Sequence, residues 1–192
     1  MKLLEDYIRQ NGQIINEHVL KVDSFLNHQV DPQLMKAIAD DFKEHFKDKK
    51  VTKVVTVETS GIAPSLFLAY ALNVPLVFMK KSASRIMQDD NYMTTVHSFT
   101  KDIDYELMVS KKYLNSDDHV IFVDDFMANG EACLGAIRLI EDAKASLEGI
   151  GIVIEKSFQD GRKKLEDKGY DVYALARVKA MKPGFIEFIS ED

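Results

Sequence analysis

The chain has little that would place it outside a reducing compartment or within a membrane. Among 192 residues there is a single cysteine, Cys133, so no internal disulfide can form, and the opening stretch MKLLEDYIRQ lacks the apolar core of a signal peptide. Both features predict a cytoplasmic setting. No apolar run approaches the roughly 20 residues that cross a bilayer, which argues against a membrane partner. Basic charge is also scarce: 25 Lys and Arg face 31 Asp and Glu, for a net charge of -6. Nucleic-acid affinity scales with the number of phosphates that Lys and Arg neutralise, so nucleic acid is not expected as a partner. There is no G-x-x-x-x-G-K-[ST] and no G-x-G-x-x-G after a strand, so the phosphate loops of nucleoside triphosphate and dinucleotide proteins are missing.

What is present is a chain of the size of one domain, 46% hydrophobic, with no internal repeat or linker. Short β-branched runs alternate with segments of helical period, the pattern of a parallel sheet covered by helices. The strands expected are KVVTVE (Lys53–Glu58), PLVFM (Pro75–Met79), HVIFVDD, GIGIVIEK (Gly149–Lys156), DVYALARV and GFIEFI. The helices between them are APSLFLAYAL, the segment after Gly130, and GRKKLEDKGY. Residues 1–50 read as a mostly helical, charged preface interrupted by LKVDSFLNHQVDP. Residues 51–155 form the core, and 156–192 a closing helix and strands. Residues of about 80–110 carry no clean helical period and read as loops or a hairpin leaving the sheet, a candidate lid.

The most informative stretch is HVIFVDDFMANGEA, His119 to Ala132. An apolar run of strand length puts Asp124 and Asp125 at its C-terminal end, where open α/β sheets bind ligands. A helix is expected from near Glu131, because Ala136, Ile140 and Ala143 recur at helical spacing. Its free N–H groups and positive dipole end form an anion site, which Gly130 lets a phosphate approach closely. The combination suggests a ligand with hydroxyls, phosphate and magnesium. Paired acids before a turn also serve as caps and turn formers, so the pair alone fits a structural role equally well.

VIFVDDFMANGEA resembles the phosphoribosyl diphosphate signature of the type I phosphoribosyltransferases, and VVTVETSGIAPSLFLAYALNVPLVFMKK resembles the pyrophosphate-loop region of their purine members. With LKVDSFLNHQVDP and GIGIVIEKSFQDGR the resemblance covers nearly the whole chain and is nearest to the bacterial xanthine-specific members. It implies the α/β type I phosphoribosyltransferase fold: a central, mostly parallel β-sheet flanked by helices, with a flexible loop and a small hood. It also implies transfer of a phosphoribosyl group to a purine, with Mg²⁺ bound mainly through the substrate, and a homodimer. Adenine or hypoxanthine-guanine specificity and a non-catalytic sensor of phosphoribosyl diphosphate are the alternatives. The sensor reading is disfavoured because such regulators carry an added DNA-binding domain.

The resemblance assigns residues as follows. Asp124 and Asp125 would contact the ribose hydroxyls and face its developing positive charge, and Ala128, Asn129, Gly130, Glu131 and Ala132 would hold the 5-phosphate. Ser60, Gly61 and Lys81 would meet the pyrophosphate, and Leu20, Asn27 and Lys156 the base. Asn129 replaces the usual threonine of the signature and Ala132 a later hydroxyl. Ala128 stands where hypoxanthine-guanine members carry an aspartate, so no general base is assigned in this loop. Other readings stay open at several positions. Lys80 and Lys81 either clamp phosphate or face solvent, Phe158 either stacks on the base or fills core, and without the resemblance Asn27 reads as a turn residue and Lys156 as a solvated strand end. His28, His97 and His119 lack metal-ligand spacing, and Cys133 reads as a small buried hydrophobe.

Overall fold

The computed structural model describes residues 1–82, 90–98 and 102–190. After helix α1 (Lys2–Asn11) come a two-stranded hairpin, β1 (Gln13–Ile14) and β2 (Leu20–Lys21), a π-helical turn over Asp23–Asn27, and helix α2 (Pro32–His45). The start of α2 is written in the sequence: the Asp31 side chain accepts from the N–H groups of Gln33 and Leu34 at 2.9 and 3.1 Å, and Pro32 occupies the first turn, where a missing N–H costs nothing.

Strand β3 (Lys53–Val57) leads into α3 (Ile62–Leu72) and β4 (Leu76–Ser82). Strands β5 (Asn91–Ser98) and β6 (Ile103–Ser110) pair as an antiparallel hairpin. Then follow β7 (His119–Met127), α4 (Glu131–Asp142), β8 (Ser146–Lys156), α5 (Gly161–Glu166), β9 (Val172–Lys182) and β10 (Phe185–Phe188). The eight larger strands form one sheet in the order β10-β9-β8-β7-β3-β4-β6-β5. Its central pairings, β4 with β3, β3 with β7, β7 with β8 and β8 with β9, are parallel, and antiparallel strands close both edges.

Side chains alternate across a strand, and the two faces of this sheet bury separate cores. Val54, Ile121 and Val123 pack with α1, α2 and α3 on one side. Val55, Val120, Phe122, Ile150 and Ile152 pack with α4 and the β5–β6 hairpin on the other. Strand β8 accepts α2 closely because Gly149 and Gly151 leave room for rings: a Cβ would come within 2.4 Å of Phe46 at the first and 2.9 Å of Phe42 at the second.

The sheet, its order of helices and strands, and its flanking layers are those expected for the fold class. Local boundaries differ. Helix α5 stops at Glu166 instead of running through GRKKLEDKGY, and β8 begins at Ser146. Of the candidate lid at about 80–110, the hairpin strands β5 and β6 extend the sheet, while 83–89 and 99–101 lie outside the described residues. No helix among the described residues is long and apolar enough to cross a membrane.

Candidate active site

The carboxyl ends of β3, β7 and β8 open into a cavity of about 1310 Å³, as expected where a parallel sheet is flanked by helices. Asp124 and Asp125 lie on its floor near the end of β7. Asp124 is buried and its Oδ1 accepts the backbone N–H of Asp125 at 3.0 Å. Burial pushes its carboxyl well above the usual carboxylate range, reinforced by the neighbouring charge of Asp125. Burial raises Asp125 as well, and the Lys81 ammonium pulls both acids back toward ionisation. Two carboxyls close together in one dry place favour the protonated form, since burial and the like charge both oppose ionisation.

Beyond the acids, Ala128, Asn129, Gly130, Glu131 and Ala132 all line the cavity and lead into α4. Gly130 has φ of 80°, the left-handed region in which a side chain is disfavoured, and a Cβ there would sit 3.1 Å from Gly161 Cα. Helix α5 braces this loop from behind. The Gly161 N–H donates to Ala128 O at 3.1 Å, and Lys164 Nζ donates to Asn129 O at 3.1 Å and to Glu131 Oε1 at 2.8 Å. The head of α4 thus presents backbone N–H groups and the positive end of a 12-residue helix to the cavity, suited to a phosphate.

On the other side of the acids, the Glu58–Thr59 peptide is cis, and Glu58, Thr59 and Ser60 line the cavity. Gly61 is not on the wall. It is packed behind it, where a Cβ would meet Thr56 Oγ1 at 2.3 Å and Asp124 Oδ1 at 2.8 Å, so any larger residue would push into the acid. The Lys81 N–H donates to Glu58 Oε1 at 2.6 Å, while its ammonium lies 5.3 Å from the centre of the Tyr105 ring. Tyr105 lines the cavity from β6, and its hydroxyl is pushed up by burial and by the charge of Asp124.

The third wall comes from the N-terminal segment and β8. Leu20, Asn27 and Lys156 meet on it, with His18, Phe126 and Gln159. Lys156 Nζ donates to His18 O at 2.6 Å and lies 5.5 Å from the centre of the Phe126 ring. Burial lowers its pKa, since a carbonyl and an aromatic face compensate only part of the lost hydration. An ammonium with protons to spare on a half-buried wall suits a ligand carbonyl.

Of the paired lysines, Lys81 reaches the cavity and Lys80 does not. Phe158 is neither core nor cavity lining: it is 38% exposed, its ring 6.3 Å from that of His18. His119 is at the far end of β7, paired with Glu148 at 2.9 Å. His97, read from sequence as surface or core, lines the cavity with its Nδ1 2.8 Å from Asp104 Oδ1. Cys133 is in the core with Ile137 and also touches the cavity. Burial and the charge of Asp124 raise its thiol pKa well above normal, so the reactive thiolate is suppressed. Among the described residues no group of three or more His, Cys, Asp or Glu is arranged to hold a metal. Sequence reasoning missed Glu58, Tyr105, His18 and Gln159. Glu58 ends an expected strand, but neither the hairpins that carry His18 and Tyr105 nor the turn that carries Gln159 between β8 and α5 has a motif to mark them.

Comparison with known proteins agrees with this geometry. Residues 22–186 match the family described as phosphoribosyl transferase domain. Xanthine phosphoribosyltransferase 1 of Clostridium botulinum is 58% identical over 98% of this chain and all of its own length. Xanthine phosphoribosyltransferase of Agathobacter rectalis is 53% identical over the whole of both chains. Among solved structures, adenine phosphoribosyltransferase of Thermoanaerobacter pseudethanolicus superposes with a TM-score of 0.73 at 21% identity, covering 91% of this chain and 99% of that one, a likeness of fold alone. With residues 22–186 matching the family and full-length relatives at this identity, the chain belongs to the phosphoribosyltransferase family.

Proposed function

We propose that the chain is a purine-salvage enzyme that transfers the phosphoribosyl group of 5-phospho-α-D-ribose 1-diphosphate to xanthine, releasing diphosphate and forming xanthosine 5'-monophosphate. The observation that carries this reading is the convergence in one cavity of Asp124 and Asp125, the Ala128–Ala132 loop and the Lys156 wall, taken with the names of the relatives. The adenine enzymes share the fold at an identity too low to transfer a base.

Each group has a part in that reaction. The N–H groups of Ala128–Ala132 and the α4 dipole hold the 5-phosphate. Asp124 and Asp125 accept hydrogen bonds from the ribose hydroxyls and, once ionised, stabilise the positive charge that develops on the ring as the bond at C1 breaks. Ser60 and Lys81 meet the diphosphate, and Gly61 lets the wall that carries Ser60 lie against Asp124. Lys156 donates to the C6 carbonyl of the base, Asn27 to the C2 carbonyl, and Leu20 covers an apolar edge. The oxygen-rich donor set suits Mg²⁺, a hard ion that keeps waters and is held largely by substrate phosphates. When bound, it neutralises the charge of the departing diphosphate.

The same reading includes a cytoplasmic homodimer in which residues 1–192 act as one domain. Helix α3 contains no charged residue, and it exposes Leu66 at 53% and Tyr70 at 87%, an apolar face suited to a second copy. Sedimentation of wild type and Tyr70→Glu tests this.

The decisive experiment is turnover of xanthine, hypoxanthine, guanine and adenine with phosphoribosyl diphosphate, with and without Mg²⁺. Xanthosine monophosphate is expected to form fastest and only with the ion. Adenine turnover equal to or above that of xanthine would sink the reading.

A further inference from the structure

Helix α5 holds two consecutive carbonyls of the phosphate loop. Gly161 N–H fixes Ala128 O at 3.1 Å and Lys164 Nζ fixes Asn129 O at 3.1 Å. A trans peptide is planar, with its C=O and N–H pointing in opposite directions. Anchoring these two oxygens on the α5 side therefore turns the N–H groups of Asn129 and Gly130 the other way, and among the described residues no protein acceptor takes either of them. Polar groups left without a partner at the head of a helix are available to an anion.

Glu131 creates the opposite problem. It is the first residue of α4 and lines the cavity, so its carboxylate would repel an incoming phosphate. The ammonium that anchors Asn129 O also sits 2.8 Å from Glu131 Oε1. One side chain thus sets the direction of a peptide and neutralises the acid beside it.

We propose that Lys164 is a positioning residue for the 5-phosphate: it orients the Asn129–Gly130 peptide so that the Gly130 N–H faces the ligand, and it compensates Glu131. This rests on the phosphoribosyl-binding function proposed above. An exposed ion pair with no such role would contribute little to anything, and the two cases separate in binding.

The test is calorimetric titration of ribose 5-phosphate, which carries only the phosphate at issue, and of inorganic diphosphate. Lys164→Met is expected to weaken ribose 5-phosphate by about 5- to 50-fold, the scale of one lost charge-assisted hydrogen bond with its geometry. Diphosphate affinity stays within about twofold, because its subsite lies across the acids. In turnover, the KM for phosphoribosyl diphosphate rises much more than kcat falls, and Lys164→Arg retains most of the affinity. Lys164→Met/Glu131→Gln recovers only part of it, because the carbonyl remains unanchored. Wild-type affinity in Lys164→Met, an equal loss for diphosphate, or full recovery in the double variant would each overturn the proposal. A wild-type protein that failed to bind ribose 5-phosphate would overturn the proposed function itself, and this inference with it.

Discussion

The backbone N–H of Asp125 donates to Asp124 Oδ1 at 3.0 Å, and among the described residues no cationic side chain hydrogen-bonds this buried carboxyl. Burial there favours the protonated form of Asp124.

That arrangement has a pH signature. The folded pKa of Asp124 is raised, chiefly by burial, so the folded protein keeps a proton that the unfolded chain releases at the ordinary carboxylate value. Stability then falls as pH rises from that value to the raised one. Asp124→Asn removes this loss and is expected to be more stable than wild type at neutral pH by on the order of 1 kcal/mol, with the difference vanishing in acid. Urea denaturation across pH checks it. A variant equally destabilised at every pH would contradict the assignment.

The same substitution should be costly in turnover. Removing the charge that faces a cationic ribose removes an interaction made chiefly in the transition state, so Asp124→Asn and Asp125→Asn should lower kcat by roughly 10- to 1000-fold while the KM for xanthine changes little. Steady-state kinetics with both substrates varied decides the matter. Near wild-type kcat in both variants would make the acids structural.

Base selectivity should divide between Asn27 and Lys156. Xanthine has a C2 carbonyl that hypoxanthine lacks, and stranding it costs about 1 to 3 kcal/mol. Asn27→Ala is therefore expected to lower the xanthine-to-hypoxanthine ratio of kcat/KM by roughly 5- to 150-fold. Lys156→Ala should weaken both bases alike, because both carry the C6 oxygen. Equal losses on the two bases in Asn27→Ala would mean that Asn27 only shapes its turn.

Under the base wall, Glu155 is almost wholly buried and takes both Nε and Nη2 of Arg162, at 2.9 and 2.6 Å, together with the Ser157 hydroxyl at 2.7 Å. Glu155→Ala takes the counter-charge from the buried Nε of Arg177, 3.7 Å away, and leaves Arg162 only Glu166 and Val172 O as partners, and is expected to cost about 3 to 5 kcal/mol in denaturant unfolding. Glu155→Met/Arg162→Met should cost less, since it removes one of the two guanidiniums that face the lost carboxylate and leaves only Arg177, 3.7 Å from Glu155 Oε1 in the wild type. Equal losses would show that the pair contributes only packing.

Legibility in the sequence followed the strength of local pattern. Strand β7 and its loop could be read because an unbroken apolar run ends in two acids and a glycine, and β3, β4, β8 and β9 are β-branched runs of the same kind. The β5–β6 hairpin was legible only as a departure from helical period. Its residues are mostly half-exposed, so neither alternation nor a continuous run marks it, and with it went Tyr105 and the cavity-side position of His97. The contacts of Lys164 span 33 and 35 residues, and GRKKLEDKGY reads on its own as a solvated helix. The base wall was named only through family resemblance, because Asn27 and Lys156 belong to no periodic pattern that chemistry alone would single out.

The pressing of Phe42 and Phe46 into the bare backbone of Gly149 and Gly151 also limits how the chain can be recombined. The N-terminal segment that brings Leu20 and Asn27 to the cavity continues into the helix bearing those two rings, and the glycine strand ends in Lys156. A chimera that exchanges residues 1–50 with a homologue whose strand lacks these glycines would meet a steric collision before any question of base preference arose. The parts of the chain that form this wall of the cavity are therefore expected to be exchangeable only together, as one cassette split between distant stretches of the chain.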